Sequence, residues 1–222
     1  MTEGLTPIVL ETAPLRSRII ESMRRAIERG VLKPGERLVE KDLCQQLGVS
    51  RTSLREALRE LEAEGVIAQT SVRGLTVVKI SHRDAENIYK IRADIEALIV
   101  EQFIGLASPD DMAQAKTLSE RLIDAYENGD FIDIVEAKRA FYGHLCKVAQ
   151  NDVAFDLSQK LTLRTAQLRS RSVVRQERQI QSIKEINTLI KAIGRKDVVA
   201  ARKAAHAHVD NAAQSALGSV EP

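Results

Sequence analysis

The spacing of apolar positions along this chain changes twice. From residue 15 onward, Ile19, Ile20, Met23 and Ile27 recur at helical spacing, which predicts an amphipathic helix with one buried stripe. Gly30 ends it, and "KPGERL" reads as a Pro-Gly turn running into a short extended segment. A second short helix is predicted from Val39 to Leu47, stopping at Gly48. In "RTSLREALRELEAEG", Leu54, Ala57, Leu58 and Leu61 fall on one arc of a third helix, and the Ser50 hydroxyl stands where it can cap it. The pattern then turns β-rich on both sides of "SVRG", which predicts a hairpin with Arg73 and Gly74 at its tip.

Beyond residue 80 the period is helical to the end. "DAENIYKIRADIEALIVEQFIGLA" predicts a helix with Ile88, Ile91, Ile95, Leu98 and Ile99 on one face. The next helix opens on Pro109 in its first turn and stops at Gly129. Further helices are predicted over "FIDIVEAKRAFYGHLCKVAQ", "NDVAFDLSQKLTLRTAQLRS", "QSIKEINTLIKAIGRK" and "DVVAARKAAHAHVDNAAQSAL". The predicted fold is mainly α. A tail over residues 1–14 leads into a winged helix-turn-helix with a small β-wing over 15–80, and an antiparallel all-helical bundle follows over 81–222.

Composition narrows the chemistry. The 222 residues are 44% hydrophobic and 29% charged, as expected of globular domains with real cores. Aromatic residues make up only 3% with no Trp, which speaks against stacking platforms for single-stranded nucleic acid. Cys44 and Cys146 form no CxxC pair, so neither a zinc ribbon nor a disulfide framework is indicated. No stretch is apolar enough for a membrane span or a signal core, and a cytoplasmic location is expected. Residues 1–80 hold 13 basic and 11 acidic side chains, and the rest hold 20 of each. Any basic surface must therefore come from arrangement rather than from net charge.

The third predicted helix supplies that arrangement. Arg51, Arg55 and Arg59 form one stripe, and Glu56, Glu60 and Glu64 form a second arc expected to be solvated. Glu62 interrupts the basic arc near the C-terminal end, so the usable basic surface lies toward the N-terminus. A recognition helix presents that end to the major groove. Two helices joined by a glycine-containing turn, the second carrying the basic stripe and a hairpin following, read as a winged helix-turn-helix.

The run "ERGVLKPGERLVEKDLCQQLGVSRTSLREALRELEAEGVIAQTSVRGLTVV" closely resembles the N-terminal domain of GntR-type bacterial transcription regulators over about fifty residues in order and spacing. Ser53 stands where that family most often has proline. The resemblance implies double-stranded operator DNA as partner, contacted by Lys41, Ser50, Arg51, Thr52, Ser53, Arg55, Arg73 and Gly74. Arg51 and Arg55 are the leading base readers, because bidentate arginine on guanine is the commonest specific contact. The hydroxyl residues suit phosphate at a helix N-terminus.

The second part resembles the all-helical effector domain called FCD, through "IYKIRADIEAL", "AFYGHLCKVAQN", "EINTLIKAIGRKD" and "AARKAAHAHV". The resemblance implies a metal site of one aspartate and three histidines with an organic acid beside it, but the four positions fall here on Lys138, Tyr142, Ile186 and His208. Lysine is a cation and isoleucine coordinates nothing, so neither metal nor another cofactor is expected. An alternative is a non-standard metal site that joins His208 to His144 or His206. The leading expectation is a small organic anion as effector, held by Arg92, Lys138, Tyr142 and His208, with an Arg92–Glu96 ion pair as the competing role for Arg92. No histidine lies three residues after a glutamate, and no G-x-S-x-G, G-x-G-x-x-G or P-loop occurs, so an enzyme is not expected. A homodimeric regulator on a palindromic operator, most simply a repressor, is the resulting expectation.

Overall fold

The computed structural model describes residues 13–70, 72 and 74–218. It falls into two compact units, one holding Val31–Lys79 with the chain up to Ile27, the other holding Glu28–Gly30 and everything from Ile80 onward. Arg73 lies outside the described residues.

In the first unit, α1 (Ala13–Glu28), α2 (Glu40–Leu47) and α3 (Arg51–Ala63) precede a hairpin of β1 (Ile67–Thr70) and β2 (Gly74–Val77). Its core includes the predicted stripe of Ile19, Ile20, Met23 and Ile27 on α1 and Leu54, Leu58 and Leu61 on α3, all buried. Gly48 ends α2 with φ +65°, and Gly74 opens β2 with φ +73°. Only a residue without Cβ takes those conformations without strain. The segment after Gly35 joins the hairpin through a single bridge, Arg37 to Thr76, so the expected short strand is one rung long. Two of the three glutamates expected to be solvated are instead ion-paired. Glu64 pairs with Arg24, whose Nε lies 3.3 Å away, and Glu60 Oε2 lies 3.5 Å from Arg16 Nε. The acidic arc of α3 therefore faces α1 and helps to fix it.

The second unit contains α4 (His82–Leu106), α5 (Pro109–Asn128), α6 (Phe131–Val148), α7 (Asp152–Arg164), α8 (Ala166–Val173), α9 (Gln176–Gly194) and α10 (Val198–Leu217). Its helix starts are written in local polar chemistry. Ser108 and Asp111 form a reciprocal capping box before Pro109, and Asp130 with Asp133 repeats it at α6. Gly129 is small for a packing reason, since a Cβ there would sit 2.8 Å from the Asp133 Cβ.

Two expectations are corrected here. Ile88 and Ile99 are buried, but Ile91 is 50% and Leu98 39% exposed; the inward face of α4 runs instead through Tyr89, Arg92, Glu96, Val100 and Phe103. Counting apolar side chains tilted the predicted stripe away from a face whose interior members include two charges. The single helix expected over residues 151–170 is two, because Thr165 breaks it at φ −101°, ψ 7°. The buried Thr165 hydroxyl donates back to Thr162 O at 3.2 Å, competing with the regular ladder.

Candidate functional site

Two sites follow from these elements, one in each unit. On the first unit, the Ser50 hydroxyl accepts from Ser53 N at 3.2 Å, so α3 starts where the sequence placed it. Because Leu54, Ala57, Leu58 and Leu61 are buried, the opposite side is held outward, and Arg51, Thr52 and Arg55 are exposed, with Ser53 half-buried. Lys41 is exposed on α2. Arg55 Nε faces both carboxylate oxygens of Glu40, at 3.1 and 2.9 Å. This glutamate, which the sequence reading passed over, orients the guanidinium from the neighbouring helix. Glu62 is also engaged rather than loose, since its Oε1 accepts from Gln69 N at 3.2 Å and ties α3 to β1.

In the second unit, Arg92, Glu96, Lys138 and His208 converge in the bundle interior. Arg92 donates to Glu96 Oε1 at 2.7 Å, and both side chains are almost wholly buried. Lys138 Nζ stands 3.3 Å from Glu96 Oε2 and 3.5 Å from His208 Nε2. Arg178 grips Glu185 with two parallel bonds of 2.9 and 2.7 Å, and Glu185 also meets His208 Nδ1 at 2.7 Å. Asn211 donates to the same carboxylate at 2.7 Å. An ionised carboxylate can only accept, so Nδ1 carries the imidazole proton and the Nε2 lone pair faces the lysine ammonium.

The electrostatics follow from burial and from these partners. Burial works to raise the Glu96 carboxyl, but Lys138 and Arg92 outweigh it and hold it well below the usual range. Burial pushes Lys138 down to about 8, with Glu96 opposing. Burial, then the Lys138 charge, push His208 down to about 4, so its ring is neutral near pH 7. Tyr142 lies under Lys138, whose Nζ is 5.2 Å from the ring centre. Burial, then Glu96, raise its phenol well above the ordinary value.

This donor set does not suit a divalent metal. The residue facing His208 Nε2 is a cation, and Ile186 is completely buried with nothing to offer. The alternative set is not assembled either. His144 Nε2 lies 2.9 Å from the Asp111 carbonyl oxygen, and His206 sits between Asp94 and Asp210 at 3.3 and 3.0 Å. Among the described residues no group of three metal-binding side chains occurs.

Beside the network is a cavity of about 20 Å³, lined by Arg92, Lys138, Arg169, Arg178, Ser182 and His208 among others. Three of the four expected effector residues border it; Tyr142 does not. Arg169, Arg178 and Ser182 escaped the sequence reading. Arg178 and Glu185 are seven apart, which places both on one face of a helix, but the predicted start of α9 fell after Arg178.

A winged helix-turn-helix followed by an all-helical bundle with a charged interior defines a class of two-unit regulatory proteins. Residues 15–77 match the family model described as bacterial regulatory proteins, gntR family, and residues 87–211 match the FCD domain. The chain belongs to the GntR family, in the branch that carries an FCD domain. The HTH-type transcriptional regulator McbR of Escherichia coli (strain K12) is 32% identical over 127 residues, 57% of this chain and 58% of that protein. The HTH-type transcriptional regulator YdhC of Bacillus subtilis (strain 168) is 30% identical over 139 residues, 62% of each. The chain thus matches about three fifths of the length of these relatives. The solved structure of E. coli McbR/YncC aligns with a TM-score of 0.77 at 25% identity, over 88% of this chain and 93% of that one.

Proposed function

We propose that this protein is a DNA-binding transcription regulator, a repressor rather than an enzyme, that works in the cytoplasm. It acts as a homodimer on a palindromic operator and responds to a small organic anion. The observation that carries the reading is the N-terminal edge of α3, where Arg51, Thr52 and Arg55 are exposed beside a capped helix start while the other side is locked in the core. Arg51 and Arg55 read base edges, and Lys41, Ser50, Thr52 and Ser53 hold backbone phosphates. Gly74 and Arg73 bring the wing to the minor groove. Each DNA half-site takes one copy, so a dimer requires a near-palindrome.

The dimer reading is supported by an uncovered apolar strip. Ile91 (50% exposed), Leu98 (39%) and Leu106 (58%) are exposed apolar side chains on α4, as are Val153 and Leu157 on α7, which packs against α4, and a second copy of this chain is their occupant. The effector reading rests on the charged cavity, with Arg92, Lys138 and His208 on its wall and the Tyr142 ring under Lys138. An effector alters DNA affinity only as far as it binds two states of the protein unequally, and the coupling is reciprocal.

Fluorescence anisotropy against an operator selected from a random DNA pool tests the first claim. The double variant Arg51→Ala/Arg55→Ala is expected to lose sequence-specific binding while keeping its helical circular dichroism. Unchanged specific binding would remove α3 from the interface. Titration calorimetry of a carboxylate panel against wild type and Arg92→Ala tests the second, and equal heats from both proteins would remove Arg92 from the site.

A further inference from the structure

The cavity in the bundle is electrically unbalanced. Four cations border it, Arg92, Lys138, Arg169 and Arg178. Two carboxylates pair with three of them, Glu96 with Arg92 and Lys138, and Glu185 with Arg178. His208 adds no charge, because the same burial that hides it keeps it neutral. Arg169, only 6% exposed, has no carboxylate within ion-pair distance among the described residues. Burial and then the like charge of Arg92 weigh most on it and push its pKa down, opposed in decreasing order by Tyr89, Tyr126 and Glu28. An uncompensated buried guanidinium is costly and is retained where something completes it.

The unsatisfied atoms point the same way. Arg92 uses only one nitrogen on Glu96; its Nε and a second terminal nitrogen are buried without a hydrogen-bond partner. One terminal nitrogen of Arg169 shares that state, and the fully buried Ser182 hydroxyl, which the Tyr126 phenol approaches, makes no bond of good hydrogen-bond geometry. These are donors, supplied by α4, α8 and α9 and bordering one small space. Donors of that number around two excess positive charges call for an acceptor-rich anion carrying two negative charges. The volume, about 20 Å³, is roughly that needed for one water molecule, so surrounding side chains must part for any ligand. A dicarboxylate spreads its charges over two separated centres, whereas a phosphoryl group concentrates both on one.

We propose that this cavity binds a phosphoryl dianion, either inorganic phosphate or the head group of a phosphate monoester, held by Arg92, Arg169 and Ser182 with Lys138 completing the positive wall. The inference rests on the anion-responsive reading above and deepens it. Arg169 and Ser182 become binding residues, and the effector narrows to one chemistry. Phosphate esters take their second charge near pH 6, and Lys138 titrates at about 8. Affinity therefore rises as pH passes 6 and declines above 8. The remaining neighbours are Arg92, Arg169, Arg178 and Tyr89, the carboxylates Glu96 and Glu185, both held low, and the phenols of Tyr126 and Tyr142, both raised by burial.

Thermal unfolding of the full-length protein in non-phosphate buffer tests this, with inorganic phosphate, glycerol 3-phosphate, sulfate, acetate and succinate added separately. Phosphate is expected to raise Tm in proportion to the logarithm of its concentration. Glycerol 3-phosphate distinguishes the sources: a shift at lower concentration than phosphate assigns the site to an ester, a smaller shift to the free ion. Sulfate, a dianion throughout, is expected to show the decline above pH 8 without the rise through pH 6. Arg169→Met is expected to unfold at a higher temperature than wild type without ligand, because an unpaired buried charge is gone, and to lose the phosphate shift. Ser182→Ala, a small change that leaves the fold intact, is expected to weaken phosphate binding about tenfold. A phosphate shift that survives in both variants overturns the site. Stabilisation by acetate or succinate but not by phosphate overturns the phosphoryl assignment and leaves the anion reading standing. No response to any anion overturns both.

Discussion

At the scale of single residues, burial decides what each charge does. His208 holds a pKa of about 4 against 6.5 for free imidazole. Between those values the unfolded chain binds a proton that the folded chain refuses, so folding stability is full above about pH 6.5 and falls as pH drops toward 4. The loss reaches on the order of 3 kcal/mol if the whole shift is realised. Thermal melts between pH 7 and 4 are expected to show it, and His208→Gln is expected to flatten the part of the curve above pH 4.5. Below that, protonation of Glu96 and Glu185, whose carboxyls are held low, continues the decline in both proteins. A curve of unchanged slope in His208→Gln would assign the acid sensitivity elsewhere. The family resemblance brought Lys138 and His208 to one pocket, but they are seventy residues apart and no local pattern states their contact or the direction in which burial moves their charges.

At the scale of elements, the sequence was readable wherever a short-range rule operates. Gly48, Ser50 and the leucine arc of α3 follow capping and periodicity, and the helix begins where they say. Arg51→Ala or Arg55→Ala is expected to weaken specific DNA binding by roughly 10- to 100-fold each, as for loss of a bidentate base contact of about 1–3 kcal/mol. Glu40→Gln is expected to act on selectivity instead. With Arg55 no longer oriented, the ratio of operator to random-sequence affinity falls while general affinity is kept or increased, measured by anisotropy on both DNAs. The stop at Gly129 was readable as a helix end, but the crowding there is tertiary as well as local, since a Cβ would meet the Ala125 carbonyl oxygen of α5 at 2.7 Å and the Asp133 Cβ of α6 at 2.8 Å. Gly129→Ala is accordingly expected to lower Tm, by an amount equivalent to roughly 1–3 kcal/mol for overpacking. An unchanged Tm would mean that the α5–α6 corner relaxes freely. Where tertiary partners choose the face, element-level reading failed. Arg92 and Glu96 line the inside of α4 because Glu96 pairs there with both Arg92 and Lys138, while Ile91 and Leu98 remain outside.

At the scale of the whole molecule, the exposed apolar side chains of α4 are the seat of the proposed dimer. Ile91→Glu/Leu98→Glu is expected to convert the dimer to a monomer in sedimentation and to weaken operator binding, since each half-site then binds alone. A dimer that persists would move the interface to another face. Wild-type binding is expected to weaken steeply between 50 and 200 mM salt, because phosphate contacts release counterions.

The sequence by itself determined the helix-turn-helix and its hairpin, the helical character of the second unit, and the residue types along the exposed edge of α3, though not the division of residues 151–170 into two helices. Those properties depend on neighbours within a few positions, through hydrogen-bonding caps, glycine turns and apolar period. Only the tertiary structure decided that Glu60 and Glu64 serve α1, that Glu40 holds Arg55, and that Arg169 and Ser182 join Arg92 around one small space. Buried polar contacts are matched in space between distant helices. Their energy depends on the removal of water from both partners together, a condition that the packed chain alone creates.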